Sequence, residues 1–406
     1  MTFITGAVVT GTGLITAAGH GPTPILDAML DGKSLFTQPS WLPWPVADMR
    51  LPEIPWPAGE PWVNNQKYAS AVAHAAVAAA RLAVDDSGGP VGPDEGLRCG
   101  TVLAAGISGG DELNEVIPKL AVLAETDPRP LAKLLYDEVP DYSYLRGIPS
   151  QVGQFVCMAA GFLGSNVAVY GESGAGGLGA LSVALRLLES GELDRVLVVG
   201  VQPPMSTTVL AALDRSEPFG TGAGPFDRRR DGTLIGEGAA AVMLERPDTA
   251  RRRGAHVIAQ VAACETVCAQ ERTNALRTAA TSVLTEAPDV WWAHGGATRA
   301  GDDDECRAVA PLVPGVPVTA SKGTVGNAFE CAALIDLTLA AEALDRGVVP
   351  PVGLLNELDP ELGELDVVQG APRQLPSAGR ALVTSFSPGP HATTAGAAMI
   401  VKGTPR

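Results

Sequence analysis

The 406-residue chain is 46% hydrophobic and 18% charged, the proportions of a folded globular protein long enough for a large core. A net charge of −16 argues against sequence-independent nucleic-acid binding, which needs lysine and arginine against phosphates. No apolar run reaches the roughly 18 residues that span a bilayer, and the start lacks a basic-then-apolar signal pattern, so the chain reads as soluble and cytoplasmic with no membrane partner.

In chain order, "GAVVTGTGLITAA" (6–18) predicts a strand and a glycine turn, followed by a helix over about 22–32. A Trp- and Pro-rich surface segment follows to 63, then an alanine-rich amphipathic helix over 66–87 that carries His74 as a packed residue. "CGTVLAAG" predicts a strand, a helix follows near 111–124, and the proline-bearing stretch 126–150 reads as irregular surface. "VLVVG" (196–200) and "AAAVMLE" (239–245) are core strands.

The three arginines at 251–253 read as the solvated end of a helix. Cys264 and Cys268 lie with His256 in a strand-like apolar stretch and read as packing residues rather than metal ligands. Alternating strands and helices imply an α/β fold. The second half repeats the plan of the first: "VPVTASKGTVGNAFECAALIDLTLAAEAL" matches the strand, glycine bend and helix of "VYGESGAGGLGALSVALRLL", and "GAAMIVK" echoes "AAAVMLE". The duplication divides the chain into halves 1–250 and 251–406, with a joint near 247–255.

The bend after Tyr170 holds Gly171-Glu172-Ser173-Gly174-Ala175. A nucleophile at a strand-to-helix bend is exposed, and the helix N-terminus favours negative charge there. An esterase elbow requires Gly-x-Ser-x-Gly; here Ala175 occupies the fifth place, and no acid is flagged to serve His294 or His391.

Other motifs point elsewhere. "PFDRRRDGTLIGEGAAAVMLE" (225–245), "AHGGATRAGDDDE" (293–305), "SKGTVGN" (321–327) and "VVTGTGLITAAG" together resemble the β-ketoacyl synthases of the thiolase superfamily, over about residues 7–403. The resemblance implies duplicated βαβαβαββ halves in five layers, αβαβα, working as a dimer without a cofactor or metal. It also implies a cysteine that takes an acyl chain from an acyl carrier protein, and two histidines that stabilise the developing oxyanions. A thiolate suits that work near neutral pH, whereas a serine needs a strong adjacent base.

Here the cysteine slot falls on Ser173 counting from Gly164, or on Gly174 counting back from Gly177, and neither is a thiol. His294 matches the first histidine as a vestigial, hydrogen-bonded residue, Asn327 stands at the second, and Lys322 keeps the lysine place. Asp302, Asp303 and Asp304 read as ordering their loop. The gate region reads Ser387-Pro388-Gly389-Pro390-His391, where two prolines fix φ and remove amide donors.

A ketosynthase body without its cysteine resembles the chain-length factor, or ketosynthase-β, of type II polyketide synthases. "AGGL" at 175–178 fits that group; its usual glutamine is missing, which puts a decarboxylase role in doubt. The resemblance implies a catalytically silent subunit that pairs with an active ketosynthase as a heterodimer and shapes the tunnel for the growing chain. Acyl carrier protein then docks mainly on the active partner, since both it and this chain are acidic. Ile107, Leu113, Val116 and Ile117 are the tunnel-lining candidates, with ordinary core packing as the competing role, and bulk at Gly109 or Gly110 is expected to shorten the product. Two other readings stay open: an independent acyltransferase or hydrolase using Ser173 with His294, and a homodimeric scaffold.

Overall fold

The structure, a computed structural model, describes residues 6–49, 56, 58–59, 62–106, 120–123, 125–126, 129–138, 145–170, 173–202, 210, 218–388 and 392–403. The tunnel candidates Ile107, Leu113, Val116 and Ile117, together with Gly109, Gly110 and His391, lie outside these residues.

The strands that position the site are β1 (Ala7–Thr16), β2 (Cys99–Ala105), β3 (Asn166–Tyr170), β4 (Arg195–Gln202) and β5 (Gly238–Glu245) in the first half. The second half supplies β6 (Ala259–Ala269), β7 (Val290–Trp292), β8 (Pro317–Thr319), β9 (Asp366–Val367), β10 (Arg380–Pro388) and β11 (Thr393–Lys402). They form one hydrogen-bonded path, β9-β8-β7-β10-β11-β6-β1-β5-β4-β2-β3. From the centre outward, β1-β5-β4-β2-β3 and β6-β11-β10-β7-β8 are the same arrangement twice, and β1 and β6 join the copies through Ala7–Val9 against Ala259–Val261.

Helices separate and cover these sheets. The α1 helix (Ala71–Asp86) packs on β1, β5 and β4, and α2 (Pro149–Ala160) packs on α1, forming the outer layer of the first half. The α3 helix (Gly176–Glu189) and α6 (Ala332–Arg346) lie side by side between the sheets, and α4 (Arg272–Val283) with α5 (Arg299–Val309) covers the second half. The result is the five-layer αβαβα arrangement. The middle helices are apolar on nearly every side because both faces are covered: Leu178, Leu181, Leu334, Leu337 and Leu339 are all fully buried.

Four local expectations change. The Gly-Thr-Gly of the opening motif is not a turn: β1 runs straight through it, and a Cβ at Gly11 or Gly13 would lie 2.2 Å from Ala83 O or 2.1 Å from Ala79 O. Those glycines admit the backbone of α1. That helix begins at Ala71 rather than near 66, because Ser70 caps it by accepting from the Ala73 amide at 3.2 Å. The stretch 126–150 is not wholly irregular, since it contains a helix at Leu131–Glu138 and the start of α2. The arginines at 251–253 also divide: Arg252 is on the surface, whereas Arg253 pairs with the buried Glu245. Among the described residues no helix is long and apolar enough to cross a membrane.

Candidate active site

The site forms where the carboxyl ends of β2, β3, β7 and β10 meet the start of α3. Strand β7 is an unbroken apolar run, Val290-Trp291-Trp292, buried on both faces and anchored by its indoles. Trp291 Nε1 donates to Thr384 Oγ1 at 2.8 Å and Trp292 Nε1 donates to Asp336 Oδ1 at 3.0 Å. The chain leaves β7 at His294 and turns sharply, with Ala297 at φ 61°, a left-handed conformation for a residue with a Cβ. Its N–H donates to Asp302 Oδ1 at 3.1 Å, and Thr298 then caps α5 by accepting from Gly301 N. The acidic run thus lies on the first turns of α5, with Asp302 buried and ordering the loop from within.

His294 is buried and clasped by its backbone. Its N–H donates to Glu305 Oε1 at 2.8 Å, and its carbonyl accepts from Lys322 Nζ at 2.6 Å. Lys322 also pairs with Asp336 at 3.2 Å. The ring reaches Ser385 of β10, with Nδ1 3.1 Å from Oγ, and packs on Phe386 with centroids 4.2 Å apart. Its Nε2 is buried without a hydrogen-bond partner among the described residues. Burial holds the imidazole pKa well below its usual value, and the nearby charges of Lys322 and Arg272 lower it further.

The bend itself is the short 3₁₀ turn Ser173–Ala175 leading into α3. Two alternate residues of β10 fasten it: Ser385 Oγ donates to Gly174 O at 2.6 Å, and Ser387 Oγ accepts from Ala175 N at 2.7 Å. Gly174 is the residue packed against the histidine. A Cβ placed on it would lie 2.9 Å from His294 Cε1 and 2.4 Å from Phe386 O.

Asn327 is buried elsewhere in the framework. Its Nδ2 donates to Thr233 Oγ1 at 3.2 Å and its Oδ1 accepts from Phe329 N at 3.1 Å, tying the 233–236 strand segment to the start of α6. Next to it stands Glu330, which the sequence reading passed over. Its carboxyl covers the α-carbon of Gly106 at the end of β2, where an added Cβ would meet Oε1 at 2.3 Å. Glu330 Oε2 is buried without a partner among the described residues, and burial pushes the carboxyl up to about 7.

Ser385 and Glu330 were missed from sequence, and Ser387 was read only as part of the gate region. The two serines did leave a signal, an alternation in "TSFSP" that puts both on one face of a strand.

The residues 62–250 match the model of the β-ketoacyl synthase N-terminal domain, and 250–355 match that of the C-terminal domain. The chain belongs to the β-ketoacyl synthase family. Among similar sequences, the tetracenomycin polyketide synthase ketoacyl synthase alpha subunit of Streptomyces glaucescens is 28% identical over 400 residues, covering 90% of this chain and 91% of that one. Nodulation protein E of Rhizobium meliloti (strain 1021) is 26% identical over 317 residues, 74% of this chain and 75% of that protein. Two solved structures share the family fold. The ishigamide ketosynthase/chain length factor superposes with a TM-score of 0.81 at 22% identity, over 98% of this chain and 99% of that one. A β-ketoacyl synthase from Burkholderia phymatum gives 0.83 at 24%, over 99% and 100%.

Cys331 donates to Ala328 O inside the core, and Cys157, on α2, contacts Thr101 Oγ1 of β2 at 3.0 Å. Burial pushes Cys99 up to about 11 and raises Cys264, Cys306 and Cys331 as well, the opposite of what a reactive thiolate needs.

Proposed function

We propose that this chain is a non-catalytic, chain-length-factor-like subunit of a type II polyketide (or polyene) synthase. It pairs with an active β-ketoacyl synthase and helps to shape the space for the growing acyl chain. The observation that carries the reading is Gly174 against His294: the residue at the histidine's edge has no side chain, and in this reading it occupies the vacated cysteine slot. Ser173 then precedes the slot, and His294, Lys322 and Asn327 are framework remnants. Without a thiol there is nothing to hold an acyl group for carbon–carbon bond formation.

Strand β3 supports the partner. It is the outermost strand at its end of the path, with its outer edge unpaired among the described residues and Val167, Ala168 and Val169 only half-buried. Tyr170 and Leu163, near its two ends, are 51% and 61% exposed. An open, apolar edge of this kind is a template for another chain. A second chain of the same fold, carrying an intact cysteine and two histidines, completes it. Acyl carrier protein docks mainly on that partner.

The test is co-expression with a ketosynthase encoded beside this chain. A 1:1 complex that condenses malonyl and acyl units, while this chain alone does not, is the expected result. A homodimer that ignores the partner, or condensation by the isolated chain, overturns the reading. The competing hydrolase reading needs His294 as base for Ser173, yet the group behind Nδ1 is the neutral Ser385 rather than a carboxylate. Incubation with acyl carrier thioesters and mass spectrometry of the peptide bearing Ser173 is expected to find no acyl-serine.

A further inference from the structure

The hydrogen count at Ser385 decides the state of His294. Ser385 Oγ is 2.6 Å from the carbonyl oxygen of Gly174 and 3.1 Å from His294 Nδ1. A carbonyl oxygen can only accept, and a hydroxyl has a single hydrogen, so that hydrogen goes to Gly174. Toward the imidazole Ser385 can then only accept, and Nδ1 must carry the proton. With the ring kept neutral by burial and by Lys322 and Arg272, Nε2 is left bare. This is the same buried Nε2 that has no partner among the described residues.

We propose that Ser385 is a positioning residue that fixes His294 as its Nδ1–H tautomer, so that the ring offers the bend a hydrogen-bond acceptor and no donor. Such a site can take a group bearing a hydrogen, such as a hydroxyl or a thiol. The ring cannot itself stabilise an enolate or other oxyanion, which requires donors aimed at the developing charge. Two side chains of the framework do not replace the missing donor. Lys322 Nζ is held by His294 O and Asp336, and Asn327 is turned toward Thr233 and Phe329. At the gate, Pro388 has no N–H. The consequence for decarboxylation rests on the silent-subunit reading; the tautomer itself does not depend on any partner.

The experiment is long-range ¹H–¹⁵N NMR of the full chain with ¹⁵N-labelled histidine at pH 7, with the signals of His294 among the five histidines assigned through His294→Gln. The expected pattern is a protonated Nδ1 and a bare Nε2 in the unaltered protein. Ser385→Ala should shift the ring toward Nε2–H or a mixture, and Ser385→Thr should restore the original pattern. A protonated Nε2 in the unaltered chain overturns the proposal even if the alanine variant does not fold, and so does an unchanged tautomer in a folded Ser385→Ala. A second arm incubates the isolated chain with malonyl thioester of acyl carrier protein. No decarboxylation above background is expected, and decarboxylation alongside a confirmed Nδ1–H ring overturns the link between the ring's tautomer and the loss of that reaction. Condensation, by contrast, would sink the silent-subunit reading while leaving the tautomer result standing.

Discussion

At the scale of single residues, the bend has closed over the place a side chain would need. A Cβ at Gly174 would come within 2.4 Å of a backbone oxygen, which cannot swing aside like the tip of a flexible side chain. Gly174→Cys is therefore expected to destabilise the fold by about 1–3 kcal/mol, the usual cost of overpacking, and to leave condensation unrestored. Denaturant unfolding reads the first outcome and acyl transfer to the new thiol reads the second; a stable, acylated variant would contradict both. Glu330 gives a second residue-scale prediction, through pH. Its carboxyl titrates near 7 in the folded chain against an ordinary 4.5, so the native state binds the extra proton. The contribution is intact below the ordinary value and is lost as pH rises through about 7, a span of roughly 3 kcal/mol. Glu330→Gln, which imitates the protonated form, should flatten that part of the stability–pH curve.

At the scale of elements, the loop 225–232 is bound to α5 by one buried arginine. Arg230 is 1% exposed in its side chain and meets Asp302, Asp303 and Asp359, while Asp302 also accepts from Phe226 N at 2.9 Å and from Ala297 N. Burial raises Asp302 to about 7 despite those donors. Asp302→Ala leaves two buried amides unpaired and removes a countercharge from Arg230. A loss of about 3 kcal/mol in denaturant unfolding is expected. His294 should lose its order at the same time, because Ala297 and α5 set the loop that carries it. The clustering of "PFDRRRD" with "AGDDDE" was readable as a family resemblance, but the pairing of Arg230 with three aspartates on two distant segments was not. Sequence spacing does not say which charges meet when 70 to 130 residues intervene.

At the scale of the whole molecule, the open edge of β3 predicts where the partner sits. Leu163→Asp with Tyr170→Asp replaces two exposed apolar side chains. Unfolding of the isolated chain should change by no more than about 0.5 kcal/mol, whereas affinity for the ketosynthase partner should fall by more than tenfold, as truncation of central interface anchors does. Titration calorimetry or analytical ultracentrifugation checks it; an undiminished complex would move the interface elsewhere.

The sequence by itself determined the α/β class, the duplication and the family, because these are written in local period and in short motifs whose residues act near one another. The strands around Val198 and Val242 and the lysine and histidine places at 322 and 294 were all legible in that way. It also determined that no cysteine stands at the bend. Only the tertiary structure decided that Gly174 packs against His294, and that Asn327 is turned into the framework. The same holds for Ser385 and Ser387 clamping the bend and for Glu330 as a buried acid over Gly106. Each of these depends on contacts between residues 91 to more than 200 positions apart, or on the direction of one side chain at a turn. An extra residue at a bend can be absorbed on either side without changing the local pattern, so that pattern alone does not say which residue of the bend meets β10.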